Sequence, residues 1–153
     1  MRRFEVVNKQ NIIGSSDVKM PKRATKHSCG YDFYSPVDVN INPGESVLVF
    51  TNIKAQFAQD EALFLFVTSK MGKRHIVLAN GTGLVDCDYY GNQDNDGNIG
   101  FRLLNLGNEI YQIKQGDKIG QGVFMHFLTV DDEEEITVKR TGGFGSTSTG
   151  FSN

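Results

Sequence analysis

The stretch KIGQGVFMHF, Lys118–Phe127, decides the fold class. Its apolar side chains keep a period of two: Ile119, Val123, Met125 and Phe127 share one face. Successive side chains of a strand point to opposite sides, so this pattern predicts a β-strand with one buried face. One residue breaks it. Gln121 falls on the same apolar face, where a polar side chain needs a hydrogen-bond partner.

The same period recurs along the chain. In VDVNI, Val37, Val39 and Ile41 alternate with Asp38 and Asn40, and Asn42-Pro43-Gly44 then supplies turn chemistry. NIGFRL alternates Ile99, Phe101 and Leu103 with Gly100 and Arg102, while SVLVF and ALFLFV read as buried strands. Long helical periodicity is missing, and at most one short helix fits, within SKMGKRH. Many short strands with Gly, Pro and Asn turns predict an all-β fold: a sandwich, barrel or jelly roll.

Composition excludes several classes of function. The 153 residues suit one domain with its own core. A net charge of -2 gives no general pull toward nucleic acid. No apolar run approaches the roughly 18 residues of a membrane span, and the basic N-terminus MRRFEVVNKQ lacks the apolar stretch of a signal peptide. Cys29 and Cys87 form no CxxC pattern, so they read as reduced thiols of a cytoplasmic chain rather than zinc ligands. His27, His75 and His126 lack metal-ligand spacing. KMPKRATKH, QDNDGN and DDEEE read as solvated segments, with QDNDGN as a hairpin turn: an EF-hand register beginning at Asn92 puts Leu103 where the closing Glu belongs.

Two segments carry candidate chemistry. In GLVDCDYYGN, strand alternation points Asp86 and Asp88 the same way, so one carboxylate is available as a general base for a water. The C-terminal RTGGFGSTSTG combines glycines that permit close backbone approach with hydroxyl donors, an Arg fork and one aromatic ring. Taken alone, each also reads blandly, as a turn and as a loose terminus.

Together these segments resemble the trimeric deoxyuridine triphosphate nucleotidohydrolases (dUTPases). SCGYDFYS, VTSKMG, LANGTGLVDCDYYGN, GDKIGQ and RTGGFGSTSTG are similar to the five short motifs of that family, in order, across about Pro21–Gly150. The resemblance implies a distorted jelly-roll subunit, residues 1–136, with a flexible arm, residues 137–153, that closes over an active site. It implies a homotrimer with sites at subunit interfaces, and Mg2+-dependent cleavage of dUTP to dUMP and pyrophosphate. By motif, Asp86 is the expected base and Arg140 the charge-neutralising catalytic partner. Asn80, Gly83, Tyr89 and Phe144 are expected at uracil and deoxyribose. Ser69, Lys70, Gln121, Gly145, Ser146 and Thr147 are expected at the phosphates, and Asp32 at the metal through water. The second motif departs from the pattern, with Thr68 where the family carries Arg. That departure leaves open an alternative, a dUTPase-fold nucleotide- or protein-binding regulator with weak or no hydrolysis. Tyr89 and the aromatic arm disfavour the related dCTP deaminases.

Overall fold

The computed structural model describes residues 1–143. Phe144, Gly145, Ser146 and Thr147 lie outside the described residues. Within them the strands are β1 (Arg3–Val6), β2 (Lys22–Arg23), β3 (Tyr31–Tyr34), β4 (Val39–Ile41), β5 (Ser46–Phe50), β6 (Ile53–Gln56), β7 (Glu61–Phe66), β8 (Ile76–Leu78), β9 (Gly83–Val85), β10 (Gly100–Asn105), β11 (Tyr111–Ile113) and β12 (Lys118–His126). The one α-helix among the described residues, α1 (Ser69–Lys73), falls inside the segment where the sequence allows one.

The architecture is all-β and jelly-roll-like. One sheet runs β2-β3-β12-β7-β9 and a second β5-β10-β8, with the pairs β1-β6 and β11-β4 closing the sides. All pairings are antiparallel. Phe33, Leu63, Phe101, Leu103 and Ile119 fill the space between the sheets with no exposed surface. β10 follows the predicted alternation, with Phe101 and Leu103 inside and Arg102 outside. β5 is buried on one face only: Val49 is inside, while Leu48 and Phe50 remain half-buried. No helix of the described residues is long and apolar enough to cross a membrane.

β12 is central, and it departs from the expected face assignment. Lys118 pairs with Tyr34, but Gly120 pairs with Phe33, so one extra residue is inserted at Ile119. A β-bulge of this kind reverses which alternate residues face inward. Ile119 is core, and beyond it Gly120, Gly122 and Phe124 face the interior instead of Val123, Met125 and Phe127. A Cβ on Gly120 would lie 2.2 Å from Phe101, and one on Gly122 would lie 2.9 Å from Phe33 and Leu63. Phe124 packs on Phe4, Tyr31 and Phe57. Gln121 is thereby turned outward, opposite Asp32. Met125 and Phe127 are left 39% and 43% exposed, on a sheet face that also carries Phe64, Phe66 and Leu84.

QDNDGN also differs from its expected role. It joins β9 to β10, which lie in different sheets, so it is a crossover and not a hairpin turn. Asn92, Asp96 and Asn98 are buried. Asn92 Nδ2 donates to Tyr89 O and Asn95 Oδ1, and Asp96 Oδ2 accepts from Lys54 Nζ at 2.8 Å and from Asn8 N at 2.7 Å. Asn98 Oδ1 accepts from Asn52 N. Polar residues go inside here because each finds a partner. Lys54→Met should lower unfolding stability by about 3 kcal/mol, because it strands a buried carboxylate. A urea midpoint equal to that of the parent protein would contradict this.

Candidate active site

The chain leaves β9 at Val85, and Asp86 becomes the residue preceding a short 3-10 turn, Cys87–Tyr89. Asp86 and Asp88 are therefore not strand neighbours, as their spacing suggests. They converge by another route. Arg140 Nη2 lies 2.7 Å from Asp86 Oδ2, and its Nε lies 2.8 Å from Asp88 Oδ1. The Arg140 side chain is only 10% exposed, whereas the two carboxylates are about half exposed, 51% and 55%.

Beneath this fork lies Tyr89, 7% exposed. Its hydroxyl donates to Asn98 O at 2.9 Å and accepts from Asn95 Nδ2 at 2.7 Å. Burial pushes the Tyr89 hydroxyl above its usual pKa, and its two hydrogen bonds hold the ring in place. The guanidinium carbon of Arg140 sits 5.8 Å from the ring centroid. Gly143 N donates to Asp94 Oδ2 at 2.7 Å, anchoring the start of the C-terminal segment over the same place. The cleft so enclosed has a volume of about 220 Å³ and is lined by Asn80, Gly83, Asp86, Tyr89, Arg102 and Arg140, among others. Gly83 allows the close approach of two strands, since a Cβ there would lie 2.8 Å from Leu65.

Among the described residues, the other expected ones do not line that cleft. Ser69 and Lys70 border a second groove together with Lys118. Lys118 Nζ lies 2.6 Å from Asp32 Oδ2. Gln121 stands opposite Asp32, and its Nε2 donates to Val67 O at 3.5 Å. The single chain thus carries two groups: Asn80, Gly83, Asp86, Tyr89 and Arg140 in one, and Asp32, Ser69, Lys70 and Gln121 in the other. Thr68 has a structural role, since its side chain caps α1 by accepting from Met71 N at 3.3 Å.

Neither Lys118 nor Asp94 is among the site residues expected from the sequence. Lys118 stands within GDKIGQ, and its pairing opposite Tyr34 lets its ammonium reach Asp32 two residues along β3. Asp94 has no local signal; it meets Gly143 because the crossover returns to the cleft. His27, His75 and His126 are all exposed.

Mg2+ takes oxygen ligands and retains several waters, so one or two carboxylates beside a phosphate chain suffice. Asp32 is such a group. It is a nearly buried carboxylate next to Lys118, with Lys70 bordering the same groove as that lysine. This donor set fits a magnesium ion held mainly by phosphate oxygens, not a protein cage. Among the described residues, Asp60, Glu61 and His126 have ligand atoms within 4.8 Å of one another. Arg2 already binds both oxygens of Glu61, and it holds that carboxyl below the usual range.

The dUTPase family model matches residues 16–150. The chain is 42% identical to the deoxyuridine 5'-triphosphate nucleotidohydrolase of Lactococcus lactis over 149 residues, covering 96% of this chain and 97% of that one. The crystal structure of the dUTPase from Streptococcus mutans superposes with a TM-score of 0.72 at 35% identity, covering 84% of this chain and 98% of that chain. The D95N mutant dUTPase of phage phi11 of Staphylococcus aureus, for which coordination of a structural Mg(II) ion is described, has a TM-score of 0.70 at 20% identity over 90% of this chain and 97% of that one; it speaks for the fold alone. With five motifs in order, a jelly-roll-like frame and a relative this similar over nearly its full length, the chain belongs to the dUTPase family.

Proposed function

We propose that the chain hydrolyses dUTP to dUMP and pyrophosphate, which keeps uracil out of DNA and supplies dUMP for thymidylate synthesis. The observation that carries this reading is the Asp86 carboxylate, exposed at the mouth of a cleft and held by Arg140 above a buried Tyr89. Asp86 takes a proton from a water. The water oxygen attacks the α-phosphorus, the bond from that phosphorus to the bridging oxygen breaks, and pyrophosphate leaves. Arg140 turns its fork toward the phosphate chain and neutralises developing charge, which in phosphoryl transfer is worth on the order of a thousandfold or more. The Tyr89 ring packs under the deoxyribose and leaves no room for a 2′-hydroxyl, while Asn80 and the backbone at Gly83 meet uracil. Magnesium, when bound to the triphosphate, supplies further charge neutralisation near Asp32. The segment after Arg140, with Phe144, Gly145, Ser146 and Thr147, closes over the nucleotide.

The active form is a homotrimer. Two observations support it. The outward face of the larger sheet carries an apolar part, where Leu84 is 59% exposed and Met125 39%, and exposed apolar surface of this kind marks an interface. The expected phosphate group of Asp32, Ser69, Lys70 and Gln121 is also separate from the Asp86 cleft on one chain, so a site made from both needs a neighbouring subunit. The binding-only alternative is not favoured, because the base, the stacking ring and the Arg fork stand together in one cleft and Thr68 has a capping role of its own.

Asp86→Asn should lower single-turnover hydrolysis of dUTP by about 10²–10⁴-fold while equilibrium binding of dUTP persists. An Asn variant with parental turnover would refute the base assignment. Deleting the chain from Thr141 onward should leave the circular dichroism spectrum and melting curve unchanged and reduce turnover by about a hundredfold. A truncated protein of full activity would show that the arm is dispensable. Met125→Glu should shift the sedimentation coefficient from trimer to smaller species.

A further inference from the structure

Arg102 is a charged group in the cleft to which the mechanism assigns no work. It sits mid-strand in β10, between Phe101 and Leu103, both with no exposed surface, so alternation sends its side chain to the opposite side, where it lines the cleft. Within the Asp86 cleft the other cation, Arg140, pairs with Asp86 and Asp88, and in the second group Lys118 pairs with Asp32. Arg102 has no such ion pair among the described residues. Its position along the cleft is set by the backbone. Ala79 N donates to Arg102 O at 2.9 Å, and Leu103 is in register with Leu78. Arg102 is therefore tied to the segment that carries Asn80, whereas Asp86 and Arg140 meet on the turn that follows β9.

We propose that Arg102 is a specificity-determining residue that donates a hydrogen bond to a pyrimidine carbonyl oxygen and so favours uracil over cytosine. The inference rests on the reading of this cleft as a dUTP site. Uracil presents a carbonyl oxygen at C4, an acceptor; cytosine presents an amino group there, a donor. A guanidinium has only donors, so it bonds the carbonyl and opposes the amine. Leaving one partner unpaired in a ligand site carries a large penalty, which is how a hydrogen-bonding pocket discriminates between near-isosteric ligands. Thymine shares the same carbonyl, so Arg102 does not contribute to its rejection.

Arg102→Met retains the apolar stem without the donors, and at this exposed position it leaves the fold intact. Calorimetric titration with deoxyuridine and deoxycytidine, neither of which carries phosphate, reads base recognition alone. The expected result is about a tenfold weaker affinity for deoxyuridine with little change for deoxycytidine. In turnover, KM for dUTP should rise by a similar factor with kcat kept, the dUTP-over-dCTP preference should fall, and the dUTP-over-dTTP preference should hold. Inhibition by pyrophosphate should be unchanged. Equal affinity of parent and variant for deoxyuridine would overturn the proposal. So would a loss of pyrophosphate inhibition with deoxyuridine binding intact, which would assign Arg102 to the phosphate chain. Failure of the parent protein to turn over dUTP would sink the enzyme reading separately, and the nucleoside titrations would still decide the role of Arg102.

Discussion

The close contact of Gly120 and Gly122 with Phe101, Phe33 and Leu63 is the constraint on which the remaining structure depends. β12 runs through the centre of the five-stranded sheet, and the Phe101 ring of the opposite sheet, with Phe33 and Leu63 of the two neighbouring strands, occupies the space where its side chains would stand. Protein interiors are packed densely enough that a single added methyl group must displace something. At Gly120 that group would meet the Phe101 ring at 2.2 Å and the Phe66 carbonyl at 2.9 Å. Glycine here is required by the approach of the two layers.

The bulge at Ile119 follows from the same packing. It keeps Ile119 in the core and still brings Gly120 over Phe33. Its second effect is on the outside of the sheet. Gln121 swings out opposite Asp32, and the apolar residues Val123 and Met125 face outward with Phe64 and Phe66. One extra residue in one strand thus puts Gln121, opposite Asp32, on the same outward face as the apolar Val123 and Met125. The polar cluster around Asp86 is built by different means: a strand that stops at Val85, a 3-10 turn, and a crossover whose buried asparagines hold the Tyr89 hydroxyl.

Much of this was legible in the sequence. Period-two alternation predicts β4 and β10 with their inner faces, because nothing interrupts the pleat there. The single helix falls where the pattern allows it. The inner face of β12 was not legible: a bulge depends on the packing of glycines against Phe101 and Phe33, both far away in sequence, and local alternation does not locate it. Gln121 was the one visible sign, a polar residue on an apolar face, and the bulge is its explanation. QDNDGN misled for a related reason. Its composition is that of a solvated turn, yet Asp96 is buried because Lys54, far away in sequence, supplies the counter-charge. The pairing of Asp86 and Asp88 was anticipated through the wrong geometry; both meet Arg140, but from a turn and not a strand.

The central claim is that the cleft between Asn80 and Arg140 is built for one nucleotide and its hydrolysis. Pyrophosphate release from dUTP, dCTP, dTTP and UTP, measured side by side with magnesium present, tests it most directly. The account predicts release from dUTP at least about a hundredfold faster than from any of the other three, the scale on which a hydrogen-bonding, sterically closed pocket discriminates. No release from dUTP, or equal rates for all four, would contradict it.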